Sequence, residues 1–423
     1  MSSTLPSYEE AAALVAACAS QMAALRPSTV SVDLAESAGR VLARPLCADM
    51  DQPPFTRSTR DGFACRASEA STHKLLAVAG ASRAGEAPAG PLPKRAAWEI
   101  MTGAPVPPGA DAVVMVEHVE LAGGKVRLLP PRTVKPGDNV VAQGAQAFAG
   151  DQLLPAGTAI HAAQIALAAS CGYASLRVFV RPRVAILATG DELVPVRSAP
   201  APGQIRNSNA PMLAAMVAAA GGQPMVLPTA ADTAEALDAA LLQAAKADML
   251  LISGGVSAGK FDLVEPALAR AGARFHFTGV RIQPGKPLVF GELPANSVRA
   301  ARHKNGSKCF FGLPGNPVSS AVTFLLFAAP ILAALAGQKD LGPRFALARL
   351  PSKAEKRGNE GLTRFLPAFC NFSATSGQLP EVAFVPWHGS GDLAALARSN
   401  CFLVVPEEVR YLDPGAIVRI LLF

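Results

Sequence analysis

From Arg183 onward, short apolar runs alternate with helix-forming stretches, and this alternation limits the fold more than any other feature of the chain. Val184–Ala188 is a continuous apolar strand, followed by a helical pattern over Ala210–Ala220, an extended run at Met225–Leu227, a helix over Asp232–Lys246 and a strand at Met249–Ile252. Leu263–Ala271 is again helical, and Phe310–Phe311 precedes a helix that begins near Val318. Strands that lack a polar face must be covered on both sides, which predicts a parallel, doubly wound sheet with helices on each face.

Sheets of this kind bind ligands outside the carboxyl ends of their strands. Three loops fall there: Thr189-Gly190-Asp191-Glu192, Ser253-Gly254-Gly255-Val256-Ser257-Ala258-Gly259 and Gly312-Leu313-Pro314-Gly315-Asn316-Pro317. The third reads as strand, Gly/Pro turn and helix start, with Asn316 as N-cap and Pro317 at the first helical position, where its missing N–H costs nothing. Free N–H groups at such a terminus attract an anion, phosphate above all. Any one of these loops alone is ordinary turn chemistry. Three at one sheet edge point to a ligand cleft.

Carboxylates gather at the same places: Asp191, Glu192, Asp232 and Asp262. Acids beside a phosphate site call for a cation between them, typically Mg²⁺ with oxygen ligands. Asp232, with Glu235 three residues on, is equally explained by a capping box, and Asp262 by a helix cap. Asp191 and Glu192 have no such alternative. In Arg281-Ile282-Gln283-Pro284-Gly285-Lys286-Pro287, Lys286 is held near the backbone and can meet an oxyanion as a point charge; a solvated surface lysine is the alternative.

Upstream, Tyr8–Leu25 has helical spacing, and from Gly62 to about Val140 short β-like runs such as Leu75–Val78, Ala110–Val116 and Val126–Leu129 are punctuated by Pro and Gly, as in a small all-β unit. A helix returns at Ala162–Ser170, so the β unit reads as an insertion into a helical segment. Within it, Ser58-Thr59-Arg60-Asp61-Gly62-Phe63 places an acid before a glycine turn, where Asp61 by itself reads as a turn residue. Met101-Thr102-Gly103-Ala104-Pro105 exposes Thr102 on a restricted loop. The polar, basic stretch Pro294–Lys308 reads as a surface loop. Runs at Phe345–Leu350, Thr363–Phe369, Val382–Val385 and Cys401–Val405 predict a C-terminal β domain.

Composition narrows the functional classes. At 423 residues the chain exceeds one core and should divide into about three or four domains. Its net charge of +7 is scattered rather than striped, which argues for a small acidic ligand over nucleic acid. Seven cysteines without C-x-x-C spacing indicate neither a disulfide framework nor a zinc knuckle, and reduced thiols suit a cytoplasmic protein. The dispersed histidines form no nucleophile–base arrangement. Leu313–Gln338 carries no charge, but its apolar part, Ala321–Ala336, is short for a membrane span and contains Pro330, so a buried helix is expected.

Taken together, these motifs resemble the MoeA-type molybdopterin molybdenumtransferases, which are related to the C-terminal domain of gephyrin. The resemblance rests on Pro53-Pro54-Phe55 with Asp61-Gly62-Phe63-Ala64, Met101-Thr102-Gly103-Ala104, Thr189-Gly190-Asp191-Glu192-Leu193, Gly203-Gln204-Ile205 and Asn209. It continues through Ser253-Gly254-Gly255-Val256-Ser257 with Asp262, Pro284-Gly285-Lys286-Pro287 and Gly312–Pro317, with Gly389-Ser390-Gly391 and Ser399-Asn400-Cys401 matching the C-terminal pattern. The motifs run in family order over nearly the whole chain.

The resemblance implies an α/β and β multidomain fold: a helical and extended N-terminal domain (1–48 plus 143–178), an inserted β domain (49–142), a doubly wound α/β molybdopterin-binding domain (179–340) and a C-terminal β-barrel-like domain (341–423). It implies a homodimer whose cleft lies between the α/β domain and the partner's inserted domain. The implied reaction inserts molybdenum from molybdate into adenylylated molybdopterin, releases AMP and uses Mg²⁺. A molybdopterin adenylyltransferase and apo-molybdoenzymes are the implied partners, with no nucleic acid and no membrane.

Carried onto this sequence, the catalytic set is Asp61, Thr102, Glu192, Asp232, Asp262 and Lys286, and the metal set is Asp191, Glu192 and Asp262. The substrate-binding set is Thr189, Gly190, Ser253, Gly254, Gly255, Ser257, Gly312, Pro314, Gly315, Asn316, Pro317 and Ser390. The chain departs from the family pattern at Ser58-Thr59-Arg60, at Val141 and at Gly144-Ala145-Gln146, where two acids are absent. The alternative these departures suggest is a weakened paralogue that binds or delivers the finished cofactor.

Overall fold

A computed structural model describes residues 5–24, 28–256, 263–294, 307–351, 354–355, 361–372 and 378–423. The sequence-predicted site residues Ser257 and Asp262 lie outside the described residues.

Two distant stretches build the first unit. Thr29–Asp33 pairs antiparallel with Ser175–Phe179, and Leu46–Cys47 with Gln152–Leu154. Leu42, Leu46, Ile160, Ala168, Leu176 and Val178 close a small core beside the helix Ala162–Ser170. Between these stretches lies a six-stranded mixed sheet, ordered Ala112–Met115, Gly62–Cys65, Ala96–Ile100, Leu76–Ser82, Lys125–Leu128 and Val119–Ala122. It buries side chains on both faces, with Ala64, Trp98 and Val113 in one core and Phe63, Ala97 and Val114 in the other. Gly62 allows its strand to pass the Val114 carbonyl, which a Cβ at that position would strike.

The α/β sheet is ordered Gln223–Val226, Arg183–Ala188, Met249–Ser253, Ser307–Leu313, Val289–Pro294 and Arg274–Thr278. The first four strands are parallel, but the last two are antiparallel. The all-parallel expectation fails at this edge because consecutive strands pair there directly, without the crossover helix that a parallel arrangement needs. Lys308, read from the sequence as part of a surface loop, is the second residue of the strand Ser307–Leu313 and is only 2% exposed. Its ammonium donates to the carbonyls of Ala244 (2.8 Å) and Ala245 (3.2 Å), at the C-terminal end of the helix Ala234–Gln243. Cations suit that end of a helix.

Apolar cores cover both faces of the sheet. The helix Tyr8–Ala24 joins one of them through Tyr8, Ala11, Val15, Cys18 and Ala19, a single helical face. Tyr8 packs edge-on to Phe327 and Phe365, with ring centroids 6.1 and 5.6 Å away. The continuous helix Pro317–Leu335 is long and apolar enough to cross a membrane, yet 83% of its most apolar stretch is buried inside the protein. A π-helical turn at Phe324–Ala328 precedes Pro330, relieving the clash between a proline ring and the carbonyl four residues earlier.

In the C-terminal unit, Thr363–Asn371, Glu381–Phe384, Phe345–Arg349, Ile417–Leu422 and Cys401–Val405 pair in that order, and the last strand pairs back onto the first. Closure removes the sheet edges, giving a five-stranded barrel around Leu366, Val382, Leu403 and Ile420.

Candidate functional site

Register brings the three glycine loops together. Ala188 pairs with Ser253, and Ser253 with Leu313, so three adjacent strands end level and release their loops at one edge. Backbone bonds tie the loops to one another: Thr189 N–H donates to Ser253 O (3.0 Å) and Gly254 N–H to Leu313 O (3.1 Å). Gly254 (φ +97) and Gly255 (φ +64) occupy left-handed conformations against Thr189, and a Cβ on Gly254 would meet the Thr189 carbonyl at 2.6 Å. Gly312 serves packing, because a Cβ there would meet Val256 Cγ1 at 2.6 Å.

Asn209 braces this edge. It is buried at the start of the helix Asn209–Ala219, and its Nδ2 donates to Ser253 Oγ (2.8 Å) and to Gly315 O (2.6 Å). Thr189 Oγ1 and Asn209 Oδ1 are buried and have no hydrogen-bond partner among the described residues. Buried polar atoms are rarely left this way, and the pair offers a ligand one hydroxyl and one amide oxygen. From the sequence, Asn209 stands only among the residues that carry the resemblance, with no bonding role attached.

The third loop differs from the open helix N-terminus that its sequence predicts. Asn316 has the extended backbone of an N-cap and Pro317 starts the helix, but the Asn316 side chain makes no cap bond and donates to Ser390 Oγ (2.9 Å). Val318 N–H donates to Ser390 O (3.0 Å) and Ser320 N–H to Asn316 O (2.9 Å). A loop of the C-terminal barrel thus takes donors that the sequence reading reserved for phosphate. Pro314 is buried, its carbonyl accepting from Ser320 Oγ, while Gly315 and Asn316 stay exposed.

Asp191 and Glu192 are exposed at the same edge. Asp191 Oδ1 accepts the N–H of Asp232 (3.1 Å), joining two of the acids, and the Glu192 carboxylate lies over Gly190, where a Cβ would meet Oε2 at 2.5 Å. The capping role considered for Asp232 belongs instead to Thr233, whose Oγ1 accepts Ala236 N–H (3.2 Å). The Lys286 turn reaches this edge because Val289, just after it, pairs with Gly312. Lys286 is exposed, and Gly285 (φ +117) lets the turn sit against Thr323.

In the inserted sheet, the two sequence-predicted residues meet. Thr102 donates to Asp61 Oδ1 from both its backbone N–H (2.6 Å) and its hydroxyl (2.7 Å). The backbone bond first, then the hydroxyl, holds the Asp61 carboxyl below the ordinary carboxylate range. Both residues are exposed, and among the described residues neither hydrogen-bonds to the α/β loops. At the departure site, Ser58 Oγ accepts the N–H of Arg60 (3.2 Å), fixing the turn before Asp61, while Ala145 and Gln146 are exposed. The large apolar cavity of about 610 Å³ is lined by Met212, Met216, Phe324, Leu325 and Leu421, and takes no residue from the three loops.

These features define a multidomain protein whose α/β unit gathers three glycine-rich, acid-bearing loops at the carboxyl edge of its sheet. Comparison with known proteins gives the family. Profiles described as the MoeA N-terminal region (domain I and II), a probable molybdopterin binding domain and the MoeA C-terminal region (domain IV) match residues 6–172, 185–334 and 349–423. A Nostoc protein named molybdopterin molybdenumtransferase is 35% identical over 93% of this chain and 88% of its own length. A Bacillus subtilis protein of the same name is 36% identical over 92% and 89%. A crystal structure of the molybdopterin biosynthesis MoeA protein from Pyrococcus horikoshii superposes with a TM-score of 0.77 at 28% identity, covering 99% of this chain and all of that one. The chain belongs to the MoeA family.

Proposed function

We propose that this protein inserts molybdenum from molybdate into adenylylated molybdopterin, releasing AMP, as its place among the molybdopterin molybdenumtransferases supports. The protein is a transferase of molybdenum cofactor biosynthesis, and no comparison favours a delivery-only role. The observation that carries the finer reading is the Asn209 brace. It fixes Ser253 beside Gly315 and leaves a buried hydroxyl, Thr189 Oγ1, unpaired next to them.

Gly190, Ser253, Gly254, Gly255 and Gly315 present backbone and hydroxyl groups to the pterin nucleotide, and Thr189 adds its hydroxyl. Asn316 and Ser390, bonded to one another, form the wall of the cleft rather than an anion hole. Asp191 and Glu192 supply hard oxygen donors at an exposed edge, a donor set that fits Mg²⁺. Bound there, the ion would offset phosphate and molybdate charge. Asp232 positions Asp191 through its N–H. Lys286 places a fixed positive charge beside developing oxyanions, an electrostatic rather than proton-transfer role.

The Asp61–Thr102 pair acts on the same cleft in a homodimer, delivered by the partner's inserted domain. An adenylyltransferase that supplies the nucleotide and apo-molybdoenzymes that take the product complete the set of partners.

The test is to incubate the protein with adenylylated molybdopterin, Mg²⁺ and molybdate, measuring AMP and reconstitution of an apo-molybdoenzyme. Molybdate-dependent AMP release is expected, and its loss in Asp191→Asn and Lys286→Ala. Tight ligand binding with neither AMP nor reconstitution would overturn the reaction; unchanged turnover in the variants would overturn the residue roles.

A further inference from the structure

The sheet has a second cluster of metal-type ligands, on its two antiparallel strands and the N-terminal helix. Cys18 on the helix Tyr8–Ala24, His276 on the strand Arg274–Thr278 and Glu292 on the strand Val289–Pro294 point their ligand atoms at one another. Cys18 Sγ lies 3.9 Å from His276 Nε2 and 4.0 Å from Glu292 Oε1, and Nε2 lies 3.6 Å from Oε1. We propose that Cys18, His276 and Glu292 bind one borderline divalent transition ion, of which zinc is the type, and that the ion pins the N-terminal helix to the antiparallel edge of the sheet.

The spacing suits such an ion. A centre equidistant from the three atoms stands about 2.2 Å from each, beside Zn–S bonds of about 2.3 Å and Zn–N and Zn–O bonds of about 2.0–2.2 Å. A slight contraction of the triangle leaves the fourth tetrahedral position for water. The donor set of thiolate, imidazole and carboxylate selects zinc-like ions over Mg²⁺ or Ca²⁺, which prefer oxygen alone.

The surroundings fit as well. His276 stacks on Phe290 with ring centroids 4.9 Å apart, which fixes the imidazole plane. Met22, one helical turn beyond Cys18, meets Cys309 with the sulfurs 3.8 Å apart, so soft, apolar groups enclose the thiol side. The side chains of His276 and Glu292 keep 14% and 17% exposure, enough for an ion to enter. Glu292 Oε2 turns toward Arg274 (3.6 Å), leaving Oε1 for the ion.

Position separates this cluster from the cleft. Val289 pairs with Gly312 at the loop edge, whereas Glu292 pairs with Cys309, three residues or about 10 Å away along the strand. The ion therefore has a structural role: it links sequence positions 18, 276 and 292 and takes no part in molybdenum transfer.

The test uses full-length protein stripped with a chelator and titrated with Co²⁺, then Zn²⁺. One Co²⁺ per chain is expected, with the intense near-ultraviolet absorption of a cobalt–thiolate bond, bleached when Zn²⁺ displaces it. Cys18→Ser should abolish that absorption. His276→Gln and Glu292→Gln should each weaken binding by more than the roughly 10–100-fold that removal of a supporting group costs. Asp191→Asn should leave it unchanged. Circular dichroism establishes that each variant is folded, and the two glutamine variants carry the test if Cys18→Ser is not. Absorption that survives in Cys18→Ser, or the absence of saturable stoichiometric binding by wild type, would overturn the proposal.

Discussion

Asn209 Nδ2 lies 2.8 Å from Ser253 Oγ, and the same nitrogen also holds the Gly315 carbonyl. One buried amide therefore ties together two loops, one 44 residues further along the chain at Ser253 and the other 106 residues further at Gly315. Asn209→Ala should leave the Ser253 hydroxyl and the Gly315 carbonyl short of a donor and cost about 1–3 kcal/mol, read as a lower denaturation midpoint. Affinity for the pterin nucleotide should fall with it. A variant of wild-type stability and affinity would remove the brace from the account.

The glycines of the cleft should differ sharply in their tolerance. Gly254→Ala places a Cβ 2.6 Å from the Thr189 carbonyl at φ +97 and should displace the loop, weakening nucleotide binding by about tenfold. Gly315→Ala meets only Gly254 Cα at 3.6 Å, an ordinary contact, and should keep the wild-type unfolding temperature. Side-by-side calorimetry of both ligand binding and unfolding distinguishes the two.

Asp61 gives a pH signature. Its carboxyl is held below the ordinary range by Thr102, so the pair favours the folded state above the unfolded-state pKa of about 4, and that contribution is lost as pH falls through the lower folded value. Thr102→Val removes the hydroxyl but keeps the N–H bond, so the Asp61 pKa should rise part of the way back. NMR titration of the Asp61 carboxyl checks this directly. The acid limb of molybdate-dependent AMP release should move up in pH with it.

Lys308 gives a dependence of the same sign at the basic end of the pH range. Burial lowers its pKa from 10.5 to about 8, so the unfolded chain binds the proton more tightly than the folded one. Stability should therefore rise with pH between about 8 and 10.5, by roughly 1–2 kcal/mol after allowance for solvent screening. Urea midpoints for wild type and Lys308→Met across that window should diverge. Parallel curves would show that the ammonium is not desolvated.

Much of the architecture was legible in the chain. The runs Val184–Ala188 and Met249–Ile252 lack a polar face, and burial on both sides of a parallel sheet is the arrangement that satisfies them. The antiparallel edge was not legible, because the apolar strand Val289–Pro294 has no periodicity that reveals its direction. The barrel strand Ile417–Leu422 was missed, since a short apolar run near a terminus is indistinguishable from other buried segments.

The site divides in the same way. Sequence alone determined the glycines, the acids at Asp191 and Glu192 and the order of the loops, because turn conformations and ionisable groups are local properties of residue type. Only the tertiary structure decided that Ser390, far along the chain, takes the Val318 N–H, that Asn209 joins two loops, and that Cys18 faces His276 and Glu292. Those relationships depend on strand register and on the docking of one unit against another. Hydrogen bonds between distant positions leave no periodic trace in a sequence.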